Sequence, residues 1–166
     1  MKQVVSYSQV KTWKRCRQKW YYNYVRGLKP KERVTKIDLG NYGHALLEAY
    51  YRGENVKEVS ELYWQEQTKD MFEEQIEEYK EVREQAETLV ERYIKHYQEH
   101  GEGFIIHGVE QKFQVGIPTP TGNRSMSDLR GIFDLVVEDS TGELWLVDHK
   151  FTSIDLEKYE ENLVLD

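Results

Sequence analysis

The chain has 166 residues, 39% of them apolar and 32% charged, with a net charge of −7. Such a composition supports one modest core under a charged surface, and no stretch approaches the roughly 20 apolar residues of a membrane-spanning helix. A lone cysteine, Cys16, excludes an internal disulfide and an all-cysteine metal site within this chain, and the first residues lack a secretory core, so a cytoplasmic setting is expected.

The charge is unevenly spread. Residues 1–36 hold eleven Lys and Arg against one acidic residue, residues 37–100 hold seven against sixteen, and residues 101–166 hold five against thirteen. A basic N-terminal arm on an acidic body suggests a phosphate-binding stripe, with Lys11, Lys14, Arg15, Arg17 and Lys19 as candidate nucleic-acid contacts. The plain alternative is a solvated helix face balanced by the acidic middle of the same molecule.

In chain order, a helix is expected from Ser8, a plausible N-cap, to about Val25. Val10, Trp13, Cys16, Trp20 and Tyr24 recur at helical spacing and are expected to form its buried stripe. Trp20, Tyr21, Tyr22 and Tyr24 could stack on bases, but core packing is the expectation for most of them. Gly27 ends the helix and Pro30 bars its continuation.

A second helix is expected from Asp38 or Leu39 to Tyr51. Gly40 and Gly43 cost helix propensity there, which suggests close approach of another backbone or a ligand. His44 and Glu48 share a face; a lone helical histidine is more often structural than a ligand. From Asn55 to His100 there is no Gly or Pro, and the apolar residues keep three-and-four spacing. This predicts one or two long amphipathic helices with acidic outer faces, built for packing.

Phe104 to Ile117 reads as a strand with a bend at Gly108, carrying Glu110. Leu129–Glu138 and Glu143–Lys150 read as a β-hairpin around the turn signal Asp139-Ser140-Thr141-Gly142. A turn centred on Thr141 would set Asp134 directly opposite Asp148, with Lys150 on the same face. Two opposed carboxylates among apolar neighbours need a compensating cation. Either they hold a divalent metal for hydrolysis, with the lysine near the attacking water, or they form a structural ion pair with it. Ile154 to Leu165 looks like the start of a helix, and the ending looks truncated.

Taken together, Ser6-Tyr7-Ser8 through Tyr24, Gly40-x-x-x-His44-x-x-x-Glu48, Glu110, Gly131-x-x-Asp134 and Asp148-x-Lys150-x-Thr152 resemble the RecB-like branch of the PD-(D/E)xK nuclease superfamily. The likeness covers most of the chain. It implies an α/β fold with a restriction-endonuclease-like core, in which a central mixed sheet is flanked by helices. It also implies one domain: N-terminal helices with the basic arm over 1–53, a helical insertion over 54–100, and the catalytic sheet with the start of the next helix over 101–166.

The resemblance further implies that His44, Asp134 and Asp148 ligate Mg²⁺ or Mn²⁺, with the His149 backbone carbonyl as another ligand. Lys150 would orient or activate water, and Glu110 would be an accessory catalytic residue. The His149 side chain is expected to point away. A Gln-x-x-x-Tyr helix usual in this branch is not in the sequence. Some relatives hold an iron–sulfur cluster, but three of its four cysteines are missing, so no cluster is expected within this chain and Cys16 reads as a buried apolar residue.

The leading function, resting mostly on that resemblance, is a divalent-metal-dependent DNA nuclease, an (exo)deoxyribonuclease favouring single strands or ends, in recombination, repair or phage DNA processing in a bacterial or phage-infected cell. A non-catalytic DNA-binding module, or a partner subunit of a helicase–nuclease assembly, is the alternative. A helical protein with a buried Asp134–Asp148–Lys150 ion network is a third. No membrane role is expected.

Overall fold

Alternation of apolar and polar residues builds a sheet around one long strand. The computed structural model describes residues 3–28, 35–119, 121 and 127–152. It divides into two compact units, Met1–Arg33 with Gly103–Asp148, and Val34–Glu102 with His149–Asp166. The helix expected over 154–165 lies outside the described residues.

The first unit is a mixed sheet of β1 (Gln3–Ser6), β2 (Phe104–Gly116), β3 (Ser127–Asp139) and β4 (Leu144–Val147). β2 runs antiparallel along one edge of β3. The other edge of β3 is shared: β1 pairs in parallel with its start, and β4 antiparallel with its end. β1 is absent from the reading of the sequence, because four residues are too few to show a period.

The hairpin register runs from Glu138↔Leu144 to Leu135↔Val147, centred on Thr141 as expected. Asp139 sets this turn. Its carboxylate accepts from the Thr141 and Glu143 backbone N–H groups at 2.8 and 3.1 Å and from the Trp145 indole at 2.9 Å. Hydrogen bonds from Thr141 and then Trp145 hold the Asp139 pKa down to about 2. Gly142, at φ +85°, supplies the left-handed residue of the turn. β4 ends at Val147, so Asp148 and Lys150 are not strand residues, and the alternation rule does not orient Lys150.

Leu135 and Val137 are buried on one face of β3. Phe133 lies on that face, stacked on Phe113 with ring centroids 4.4 Å apart. A Cβ on Gly131 would overlap the Phe113 ring, so the glycine lets this aromatic pair close over the strand. Asp134, adjacent to Phe133, lies on the opposite face.

The N-terminal helix departs from expectation. It breaks into α1 (Tyr7–Arg15), α2 (Arg17–Trp20) and a π-helical turn, Tyr21–Val25. The N-cap is Ser6, not Ser8; the Ser6 hydroxyl accepts from the Gln9 backbone N–H at 3.3 Å. Cys16 sits at the break in extended conformation and is exposed, correcting its reading as a buried residue. None of Val10, Trp13, Trp20 and Tyr24 is fully buried either.

The second unit packs α3 (Thr35–Tyr51), α4 (Val56–Thr68) and α5 (Glu73–His100). The stretch without Gly or Pro thus makes two helices. Asn55 caps α4, accepting from the Lys57 and Glu58 N–H groups. The core joins Tyr42, Leu46 and Leu47 of α3 to Tyr79, Val82, Ala86 and Val90 of α5. Fully burying each aliphatic side chain there contributes about 1.5–3 kcal/mol.

The Tyr42 hydroxyl enters this core because it donates to the Ser60 carbonyl at 2.8 Å. Burial pushes its pKa up, keeping the phenol neutral. Arg83 ties α4 to α5 through Glu61 and Glu87, at 3.0 and 2.9 Å.

Candidate active site

The sheet brings two of the anticipated carboxylates together. Val109 pairs with Leu135 and Gln111 with Phe133, which leaves Glu110 opposite Asp134. Their carboxylate oxygens lie within 4.8 Å of each other. Both residues are partly buried, so neither charge is fully hydrated. Like charges directly opposed on neighbouring strands repel.

Glu110 is unusual in a second respect. Its φ is +49°, and among the described non-glycine residues no other has a positive φ. A left-handed conformation costs an L-residue about 1–2 kcal/mol. The register of β2 also shifts between Ile106 and Gly108. Such an irregularity re-aims side chains and concentrates near functional sites. Sequence reading found Glu110 but not its backbone, because no glycine or asparagine signals the left-handed residue.

Asp148 follows the last hairpin pair by one residue, at the end of the sheet unit, and is exposed. His149, Lys150 and Phe151 belong to the helical unit. The Lys150 side chain is exposed. The His149 ring lies among tyrosines, with Nε2 at 3.1 Å from the Tyr93 hydroxyl and its centroid 5.9 Å from that of Tyr51. The hydroxyls of Tyr51 and Tyr93 are hydrogen-bonded to each other. Burial is the main reason that both phenols are raised, that of Tyr93 to about 12; their shared hydrogen bond raises Tyr51 further but works against the rise at Tyr93. This tyrosine cluster went unread in the sequence, since both residues looked like ordinary members of helix stripes.

His44 stands on α3, partly buried, with its ring edge to face against Phe151 at 5.6 Å. The neighbouring Gly43 explains how: a Cβ there would run into the Phe151 ring. Gly43 is closely approached, but by the Phe151 side chain rather than by the backbone or ligand expected there. Gly40 has open space around its missing Cβ. Glu48, one turn on from His44, is paired with Arg52 at 2.7 Å.

Lys11, Lys14, Arg15, Arg17 and Lys19 are all exposed, on α1 and α2. The Arg17 guanidinium lies 4.7 Å from the centre of the Trp13 ring, and the Lys11 ammonium 5.9 Å from that of Tyr7. Among the described residues, no helix is long and apolar enough to cross a membrane.

A family model described as the PD-(D/E)XK nuclease superfamily matches residues 4–163, nearly the whole chain. The chain belongs to that superfamily. No curated protein matches it. The mixed α/β architecture is accordingly a restriction-endonuclease-like one, and hydrolysis of nucleic acid is the chemistry that membership brings. The donor set suits a hard divalent cation: two carboxylates held close and half out of water are what such an ion offsets.

Proposed function

We propose that this PD-(D/E)XK protein is a divalent-metal-dependent nuclease of the RecB-like kind, hydrolysing phosphodiester bonds in DNA. The observation that carries the reading is the close Glu110–Asp134 pair, whose repulsion and backbone strain make sense if a cation is bound. Asp148 and His44 complete the proposed ligand set, with the His149 carbonyl. An imidazole among carboxylates favours Mn²⁺ over Mg²⁺ in affinity. When bound, such a cation activates water and polarises the phosphate.

The protein's own groups do the rest. Glu110 and Asp134 hold negative charge at a defined place on the face of β3 opposite Leu135 and Val137. The Lys150 ammonium offsets charge on the phosphate and orients the attacking water. The Tyr93 hydroxyl holds the His149 ring, which fixes the peptide between Asp148 and Lys150. The exposed cations of α1 and α2 hold the DNA backbone. The whole is proposed as one nuclease domain in which residues 54–100 are an insertion. Single strands or ends are the proposed substrates, and recombination, repair or phage DNA processing the proposed setting.

The test is cutting of labelled single- and double-stranded DNA with Mn²⁺, Mg²⁺ or EDTA, beside Asp134→Asn and Lys150→Ala. Metal-dependent cutting should fall by more than about a hundredfold in each variant, since even residues supporting a metal ligand cost up to that much. Undiminished cutting in both would defeat the assignment.

A further inference from the structure

The nuclease reading uses the N-terminal segment only as a source of positive charge, yet its aromatic residues are arranged for more. A cleft of about 300 Å³ opens between β1 and the helices α1 and α2. It is lined by Gln3, Val5, Gln9, Val10, Trp13 and Trp20. Two indoles offer flat apolar surface, and two amides offer donors and acceptors beside it. Residues 3–28 contain no Asp or Glu, while Lys11, Lys14, Arg15, Arg17 and Lys19 stand exposed on the same helices. A cleft with flat apolar walls, amide groups and surrounding cations matches a heterocyclic base on a phosphate backbone.

The segment that follows Trp20 in the chain is aromatic as well. The π-helical turn leaves Tyr21, Tyr22 and Tyr24 at 40%, 44% and 41% exposure, and Trp13 is 44% exposed. π-turns are rare and concentrate at functional positions. Large aromatic rings left half in water, when a helix could have buried them, call for a ligand that covers them.

We propose that the cleft between β1 and α1–α2 receives an unpaired base of a nucleic-acid strand, with the tyrosines of the π-turn as stacking positions for its neighbours. The proposal rests on the nuclease reading for the identity of its ligand and adds the form of that ligand. In a duplex the base faces are stacked and the pairing edges occupied, so only an unpaired base can enter. Stacking is indifferent to sequence, because every base has a π-face, whereas the phosphates are held by the surrounding cations.

Binding is measured on the full chain in EDTA, where no cutting occurs. The probes are a labelled oligothymidylate, an abasic strand of the same length, and a duplex. The abasic strand keeps every phosphate and removes every base. It and the duplex should bind about tenfold more weakly or worse, on the scale of one to two stacked bases. The oligothymidylate should quench tryptophan emission, and this quenching should shrink in Trp13→Phe or Trp20→Phe, conservative changes that keep a ring in the fold. Gln9→Ala should weaken the oligothymidylate and leave the abasic strand unchanged.

Equal affinity for the abasic strand, or quenching unaltered in both Phe variants, would overturn the cleft. Failure here is distinguishable from failure of the catalytic reading. A protein that cuts DNA but ignores the bases loses only the cleft. A protein that prefers unpaired bases but never cuts with metal loses only the active site.

Discussion

α5 and the α1–α2 segment carry the same kind of pattern and come to opposite ends. Tyr79, Val82, Ala86 and Val90 recur at three-and-four spacing and are buried against α3. Val10, Trp13 and Trp20 recur similarly, yet neither α1 nor α2 has a buried residue. Periodicity therefore reports that a helix has an apolar side, not that a partner exists to cover it. In α5 the covering partner is α3, and both helices are tied to α4, α3 by the Tyr42–Ser60 hydrogen bond and α5 by the Arg83–Glu61 bridge. In the N-terminal segment the backbone breaks at Cys16 and the stripe is divided.

The sharpest way to break that comparison lies outside both helices, at the carboxylates. Asp134→Asn should lose more than about a hundredfold in metal-dependent cutting. In EDTA the same variant should melt no lower than the parent, because one of two opposed charges is gone. Mn²⁺ should raise the melting temperature of the parent more than that of the variant, since a ligand bound only to the folded state stabilises it. A variant that melted lower in EDTA would show the pair to be structural.

Next in size is the helical core. Leu46 is fully buried, and Leu46→Ala should cost about 2–5 kcal/mol in urea unfolding. Trp13→Ala removes a larger side chain from a half-exposed site and should cost clearly less, although the excised volume is greater. If Trp13→Ala proved as costly, the N-terminal segment would have a covered core after all.

A smaller effect is expected at Glu110. At φ +49° a β-branched residue is strained while asparagine is tolerated, so Glu110→Val should be less stable than Glu110→Asn by about 1–2 kcal/mol. Equal melting temperatures would argue that the strand relaxes freely.

The smallest effect belongs to the hairpin turn. The folded pKa of Asp139 is lowered to about 2. Its contribution is therefore present above the unfolded value near 3.8 and is lost as pH falls toward about 2. Amide exchange at Thr141 and Glu143, taken relative to the intrinsic rate of an unprotected amide at the same pH, should quicken as pH falls across that window in the parent. In Asp139→Ala it should already be fast at neutral pH.

Much of the candidate site was legible without coordinates. The turn residues Asp139 to Gly142 fixed the hairpin register, because a turn admits few lengths and the apolar runs on either side must share a face. Gly43 announced a close approach, because a glycine inside a helix costs propensity that something must return. Asp134 and Glu110 were named from the residues around them. Their adjacency was not, since Glu110 lies on β2 and its register depends on a bulge in a strand more than a dozen residues upstream of β3.

Sequence by itself determined most of the longer elements, the charge asymmetry and the types of residue available for chemistry, because local propensity and periodicity are written in neighbouring positions. Tertiary structure alone decided which apolar stripe found a partner, that β4 stops before Asp148, and that Glu110 stands beside Asp134. Burial and cross-strand pairing depend on residues far apart in the chain, and no short window of sequence contains both sides of such a contact.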